Sequence, residues 1–142
     1  GSGGVSTQAS QISGGITYVE SGYAKQQGLK VANIDFGAGP TELNAANVGT
    51  ALDALTFKTE GHNMVVDTNA LFASNQANSY PLILTTYEIV CSAGYDAETS
   101  ARVKDFLNVA LQSQDSTLEE LGFIPVKGAH ADRLKAAVDA IQ

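Results

Sequence analysis

The chain contains one cysteine, Cys91, so no disulfide can form within it. It also lacks any basic cluster: eight Lys and Arg are scattered among fifteen Asp and Glu, for a net charge of −7. A nucleic-acid binder needs a basic stripe, so that class is excluded, and an anionic membrane surface would repel the chain. No apolar run reaches the roughly 20 residues that cross a bilayer. Zinc needs three or four gathered ligands. Only His62 and His130 are present, far apart, with no Cys-x-x-Cys and no His-x-x-x-His. The Gly-x-Ser-x-Gly elbow of serine hydrolases and the Gly-Lys-Ser or Gly-Lys-Thr of a phosphate loop are likewise absent. The chain opens Gly1-Ser2-Gly3-Gly4 with neither Met nor a basic-then-apolar leader, as expected of a processed product or a fragment.

What is present fits one globular domain. A chain of 142 residues, 44% hydrophobic and 16% charged, can bury roughly two-thirds of its unfolded surface. The run Ser79–Cys91, SYPLILTTYEIVC, is the longest nearly uncharged β-favouring stretch. Its polar and apolar residues do not alternate strictly, which predicts an inner strand of an α/β sheet with both faces covered. Pro81 belongs at the entrance of such a strand, and Glu88 near its end with its head in water.

Flexible glycines are expected at the start, then a short helix over Val5–Ile12. A strand is expected over Ile16–Val19, a helix over Ser21–Gln27 stopped by Gly28, and a strand over Leu29–Phe36 before the turn Gly37–Pro40. Val48, Ala51, Leu52 and Leu55 form the apolar stripe of a helix over Asn44–Leu55, capped by Asn44 or Thr41. Met64–Val66 reads as a short strand and Asn69–Asn78 largely as a surface loop. Ala97–Leu111 is the best helix, capped by Asp96, with Val103, Phe106, Leu107, Ala110 and Leu111 ready to dock on a sheet. Ser116-x-x-Glu119 reads as a capping box opening a helix that Gly122 ends. Phe123–Val126 is extended, and a last helix runs over Ala129–Ile141.

Residue chemistry offers little for a site. Gly1-Ser2-Gly3-Gly4 before a helix resembles an anion cradle, against the plainer reading of a flexible terminus. Cys91 reads as a small buried hydrophobe, and both histidines as surface residues. Asp115, Glu119 and Glu120 suit a helix start better than paired catalytic carboxylates. No nucleophile, metal set or base is assembled, so neither an enzyme nor a cofactor is expected.

Two stretches carry a resemblance. Gly14-Gly15-Ile16-Thr17-Tyr18-Val19-Glu20, with Tyr23-Ala24-Lys25 after it, resembles the Gly-Ala-Ile-x-Tyr-x-Glu segment of the phosphate-binding proteins of the high-affinity phosphate ABC transporter, the PstS family. Tyr80-Pro81-Leu82-Ile83-Leu84-Thr85-Thr86-Tyr87-Glu88-Ile89-Val90-Cys91 resembles the Tyr-Pro-Ile-x-x-x-Thr-Tyr-x-Ile strand of the same family. Met64–Thr68, Gly122–Val126 and Ala136–Val138 also fit its actinobacterial branch, in order and over the whole chain. The resemblance implies a class II periplasmic-binding-protein fold, a mixed sheet flanked by helices, whose two lobes close on inorganic phosphate. It implies an extracytoplasmic protein, lipid-anchored in Gram-positive members, that hands phosphate to the permease of an ATP-driven importer.

Only the later part of such a protein is matched. Residues 1–36 would end the second lobe and approach the hinge. Residues 37–142 would return from the hinge and form the C-terminal portion of the first lobe. The family's phosphate ligands are an early Thr and Ser loop, an Asp and an Arg-Ser-Asp-Gly-Ser-Gly-Thr motif. All fall before this segment, so the ligand-binding residues are unknown and none carries over. The incomplete sheet predicts a partner half-chain or an intertwined oligomer. Other readings are a receptor for sulfate or molybdate and a surface domain that binds no small ligand. A phosphatase fits least.

Overall fold

A computed structural model describes residues 1–142. Helices dominate: α1 (Ser2–Gln11), α2 (Ser21–Gln26), α3 (Ala45–Asp53), α4 (Thr68–Ala73), α5 (Ala97–Gln112), α6 (Ser116–Glu120) and α7 (Gly128–Asp139). Between α2 and α3 lies one antiparallel hairpin, β1 (Ile34–Asp35) and β2 (Pro40–Thr41), with Ile34 opposite Thr41 and Asp35 opposite Pro40. The Asp35 carboxylate accepts the Gly37 and Gly39 N–H groups at 2.7 and 3.1 Å, which closes the turn. The hairpin therefore straddles residue 36.

Side-chain caps start four of the seven helices, α3 to α6. Asn44 Oδ1 accepts the Asn47 N–H at 2.9 Å and opens α3. Asp96 Oδ1 accepts the Thr99 N–H at 2.9 Å and opens α5. That bond holds the Asp96 carboxyl below the usual carboxylate range. α4 was expected as loop. Asp67 Oδ1 takes the Asn69 and Ala70 N–H groups, and Leu71 buries beneath the helix it starts. At α6 the cap is Asp115, not Ser116, because the Asp115 carboxylate reaches the Thr117 N–H at 2.9 Å. The first glycines are not a loose end: Ser2, Gly3 and Gly4 form the first turn of α1.

The main core lies around α3. Val48, Ala51, Leu52 and Leu55 meet Val66, Leu71 and Tyr80, with Phe57, Ile83 and Ile124 at the margin. Residues 56–67 fold against it as a small turn-back, held by a bridge between Phe57 and Val66 and by the Lys58 N–H to Val65 O bond at 2.8 Å. The expected Met64–Val66 strand is thus reduced to one bridge. A second, smaller core joins α5 to α7 through Leu107, Val138 and Ile141. α7 packs on both α3 and α5 and ties the two cores together.

The long strand is the main departure. Residues 79–91 run without regular structure and pair with no other strand. The Tyr80 N–H donates to Asn47 O at 2.9 Å, which fixes the entrance, where Pro81 is fully buried. Beyond it both faces open to solvent: Leu84 is 89% and Ile89 94% exposed. Glu88 is exposed, as expected. The physical reason is that a ladder is a property of two strands, and no second strand lies beside this one. Ile16–Val19 behaves alike, with Ile16 and Tyr18 almost fully exposed, and Leu29–Phe36 pairs only at β1. α5 forms over the expected residues but is half-docked. Leu107 is buried, while Phe106 and Val109 stay exposed because no sheet lies over them.

Candidate functional site

The N-terminus of α1 lies near an acidic side chain. Gly1 caps it without a side chain. The Ser2 hydroxyl, in the first turn of α1, is the first cause holding the Glu20 carboxyl below the usual carboxylate range. A carboxylate beside the positive end of a helix dipole is favourable. Glu20 also caps α2. Gly1–Gly4 starts α1 with this carboxylate nearby, which disfavours an added anion there.

A polar cluster forms where the end of α3 meets the start of α7. His130 is 7% exposed, contrary to the surface position expected of it. Its ring stacks on Phe57, with centroids 6.3 Å apart and planes 10° from parallel. Its Nδ1 is buried without a hydrogen-bond partner. Arg133, one turn along α7, lies over the Phe57 ring at 5.6 Å from its centroid and donates to Leu55 O at 3.1 Å. Burial is the largest cause that pushes the His130 pKa down. Arg133 adds to it and Asp53 opposes it. The cluster keeps a neutral imidazole packed as an aromatic plate. With one histidine and no gathered acids it is no metal centre, and no group of three metal-ligating side chains occurs anywhere in the chain.

The third candidate is a shallow groove of about 360 Å³ between residues 88–90 and α5, lined by Val90, Val103, Phe106 and Leu107, with Glu88 and Arg102 at its rim. Its apolar floor suits a side chain better than a phosphate. Cys91, which follows Val90 in the chain, is exposed, against the buried position expected from its type. Its N–H donates to the Tyr95 hydroxyl at 2.8 Å. His62 is exposed, as expected. Asp115 caps α6 and Glu119 lies in its first turn, as the helix-start reading requires.

Phosphate recognition favours paired guanidinium and backbone donors. Both arginines are committed elsewhere: Arg133 to Leu55 O and the Phe57 face, Arg102 to Glu98 at 2.5 Å. The sequence had signalled no site residue, and the structure gathers no anion-binding set. The His130 cluster escaped sequence reasoning because its partners, Asp53 and Phe57, lie more than seventy residues away in the chain.

Comparison with known proteins supplies what local chemistry does not. The chain is 36% identical over 143 aligned residues to "Phosphate-binding protein PstS 3" of Mycobacterium tuberculosis, covering 99% of this chain and 39% of that protein. It is 34% identical, with the same coverage, to "Phosphate-binding protein PstS 2" of M. tuberculosis and to "Phosphate-binding protein PstS 3" of Mycobacterium leprae. The chain therefore spans about two-fifths of the length of the curated relatives it matches. No solved structure matches it. No helix is long and apolar enough to cross a membrane. The family model for the PBP superfamily domain matches residues 1–114. The helices with their small sheet are accordingly part of an α/β periplasmic-binding fold, and the chain belongs to the PBP superfamily.

Proposed function

We infer that this chain is the C-terminal part of an extracytoplasmic phosphate-binding protein that delivers inorganic phosphate to an ABC-type importer. The observation that carries the reading is the continuous similarity, over 99% of the chain, to proteins named phosphate-binding proteins. The two expected motifs fall inside that span. The protein acts as a receptor and performs no chemistry on its ligand, a reading supported by its superfamily. Its ligands lie in the part of the protein that precedes this segment. Its docking partner is the permease, and the complete protein is lipid-anchored outside the cytoplasmic membrane.

Residues 1–36 and 37–142 belong to different lobes, with the divide at the β1–β2 hairpin. The open faces of residues 84–91 and of α5 support a further part of this reading. Burying such side chains is worth about 1.5–3 kcal/mol each, and the remainder of the protein completes the sheet over them. The negative net charge does not oppose anion binding, because backbone and charge-assisted donors do the recognition locally.

The test is anion competition on the full-length protein. Phosphate is expected to bind and to resist displacement by sulfate and molybdate. Displacement by either oxyanion would assign the receptor to that ligand, and no binding of any of the three would leave a surface or interaction domain.

A further inference from the structure

Residues 1–33 form a small unit of their own. α1 packs on α2, Gln27 reaches Thr7, and Gly3 faces the Tyr23 ring. One hydrogen bond ties this unit to residues 34–142: Ser21 Oγ donates to Gly122 O at 2.6 Å. Around that bond two backbones touch. A Cβ built on Gly22 would come within 3.0 Å of the Leu121 carbonyl oxygen, and one built on Gly122 would come within 3.0 Å of Gly22 N and Cα. Neither approach leaves room for a side chain, and the obstructing atoms are main chain, which cannot swing aside. Gly122 is fixed twice over, since its φ of +90° is one that L-residues avoid. Gly22 has no such backbone demand. It sits in the first turn of α2, where alanine is the better helix former, so its glycine is explained by the contact alone.

A junction held by one hydrogen bond can be broken and remade as a unit. We propose that Ser21-Gly22 against Leu121-Gly122 is an interlobe latch: the two glycines let the segment before the hairpin and the segment after it close to backbone contact, and the Ser21 hydroxyl holds the closed arrangement. This rests on the two-lobe reading above. It assigns positioning roles to Ser21, Gly22 and Gly122, none of which touches the ligand. A bulkier residue at position 22 keeps the lobes apart, so the ligand leaves sooner.

The experiment uses full-length protein with Cys91→Ser and spin labels at positions 8 and 112, both exposed. Distances between the labels are measured by pulsed electron resonance with and without inorganic phosphate. Gly22→Ala is expected to lengthen the distance and to weaken phosphate binding by roughly tenfold, within the usual range of coupling between sites. Gly49→Ala, at a helix position where an added Cβ meets nothing within 4 Å, serves as the control and changes neither. Ser21→Ala removes the bond without adding bulk. It gives a smaller lengthening, and it decides the matter if Gly22→Ala fails to fold. Wild-type distances in both variants overturn the latch, as does a loss of melting temperature with no change of distance. If the unmodified protein ignores phosphate, the functional reading falls by itself. The ligand-free distances of Gly22→Ala and wild type still decide the latch.

Discussion

The surroundings of α3 and the run from Leu84 to Val109 both carry many large apolar residues, yet the first buries most of them and the second only Leu107. Val48 is 2% and Leu52 6% exposed, against 89% for Leu84 and 94% for Ile89. The difference lies in where the partners are in sequence. The α3 stripe finds Val66, Leu71 and Tyr80 within about thirty residues, so local folding closes it. The second region needs a sheet, and this chain provides only a two-residue hairpin pair elsewhere. A hydrophobic pattern thus states what must be covered and leaves open what covers it.

The sharpest way to break that comparison is to truncate one residue from each region. Leu52→Ala should cost about 2–5 kcal/mol, read from the urea midpoint, wherever it is made. Ile89→Ala should stay within about 0.5 kcal/mol in the 142-residue chain and approach the core cost in the full-length protein. Equal losses in the short chain would mean that the open face is covered by something already present. A smaller effect is expected at the caps. Asn44→Ala should cost about 1 kcal/mol of global stability. Asp96→Ala should instead fray the first turn of the half-docked α5, seen as faster amide exchange at Thr99 and Ser100. A global loss as large as that at Asn44 would show α5 to be as firmly held as α3.

The smallest expected effect is a pH slope. Burial and Arg133 hold the His130 pKa low in the folded chain, with Asp53 opposing. The unfolded chain therefore takes up this proton first. Stability from the neutral ring is full above the ordinary histidine value of about 6.5 and is lost as pH falls below it toward the folded value. Glu20 and Asp96 are also held low, but their window begins at ordinary carboxylate values and lies further down. His130→Phe, which keeps a plate against Phe57, should flatten urea midpoints measured between about pH 7 and 5.5. An unchanged slope would place the proton uptake elsewhere.

Much of the helical framework was legible. Periodicity and caps gave α3 with Asn44 and α5 with Asp96 to within a residue or two, because helices are written in local spacing. α4 was legible too, through Asp67 before Thr68-Asn69-Ala70-Leu71, but the polar residues after it outweighed that signal. Strand pairing was not legible, since β-branched residues from Ile83 to Val90 declare a preference and cannot supply a neighbour. The burial of His130 depends on Phe57 and Asp53, and the glycine contact joins residues 22 and 122. No window of sequence contains either pair. Of the site itself the sequence revealed only the absence of the phosphate motif.

The most direct test of the account is phosphate titration calorimetry on two samples side by side, the full-length protein and residues 1–142 alone. Saturable heat from the full-length protein and none from the short chain is the predicted result, with the ligands in the preceding part and the present chain as scaffold. Tight phosphate binding by residues 1–142 alone would contradict it and place the site among the residues described above.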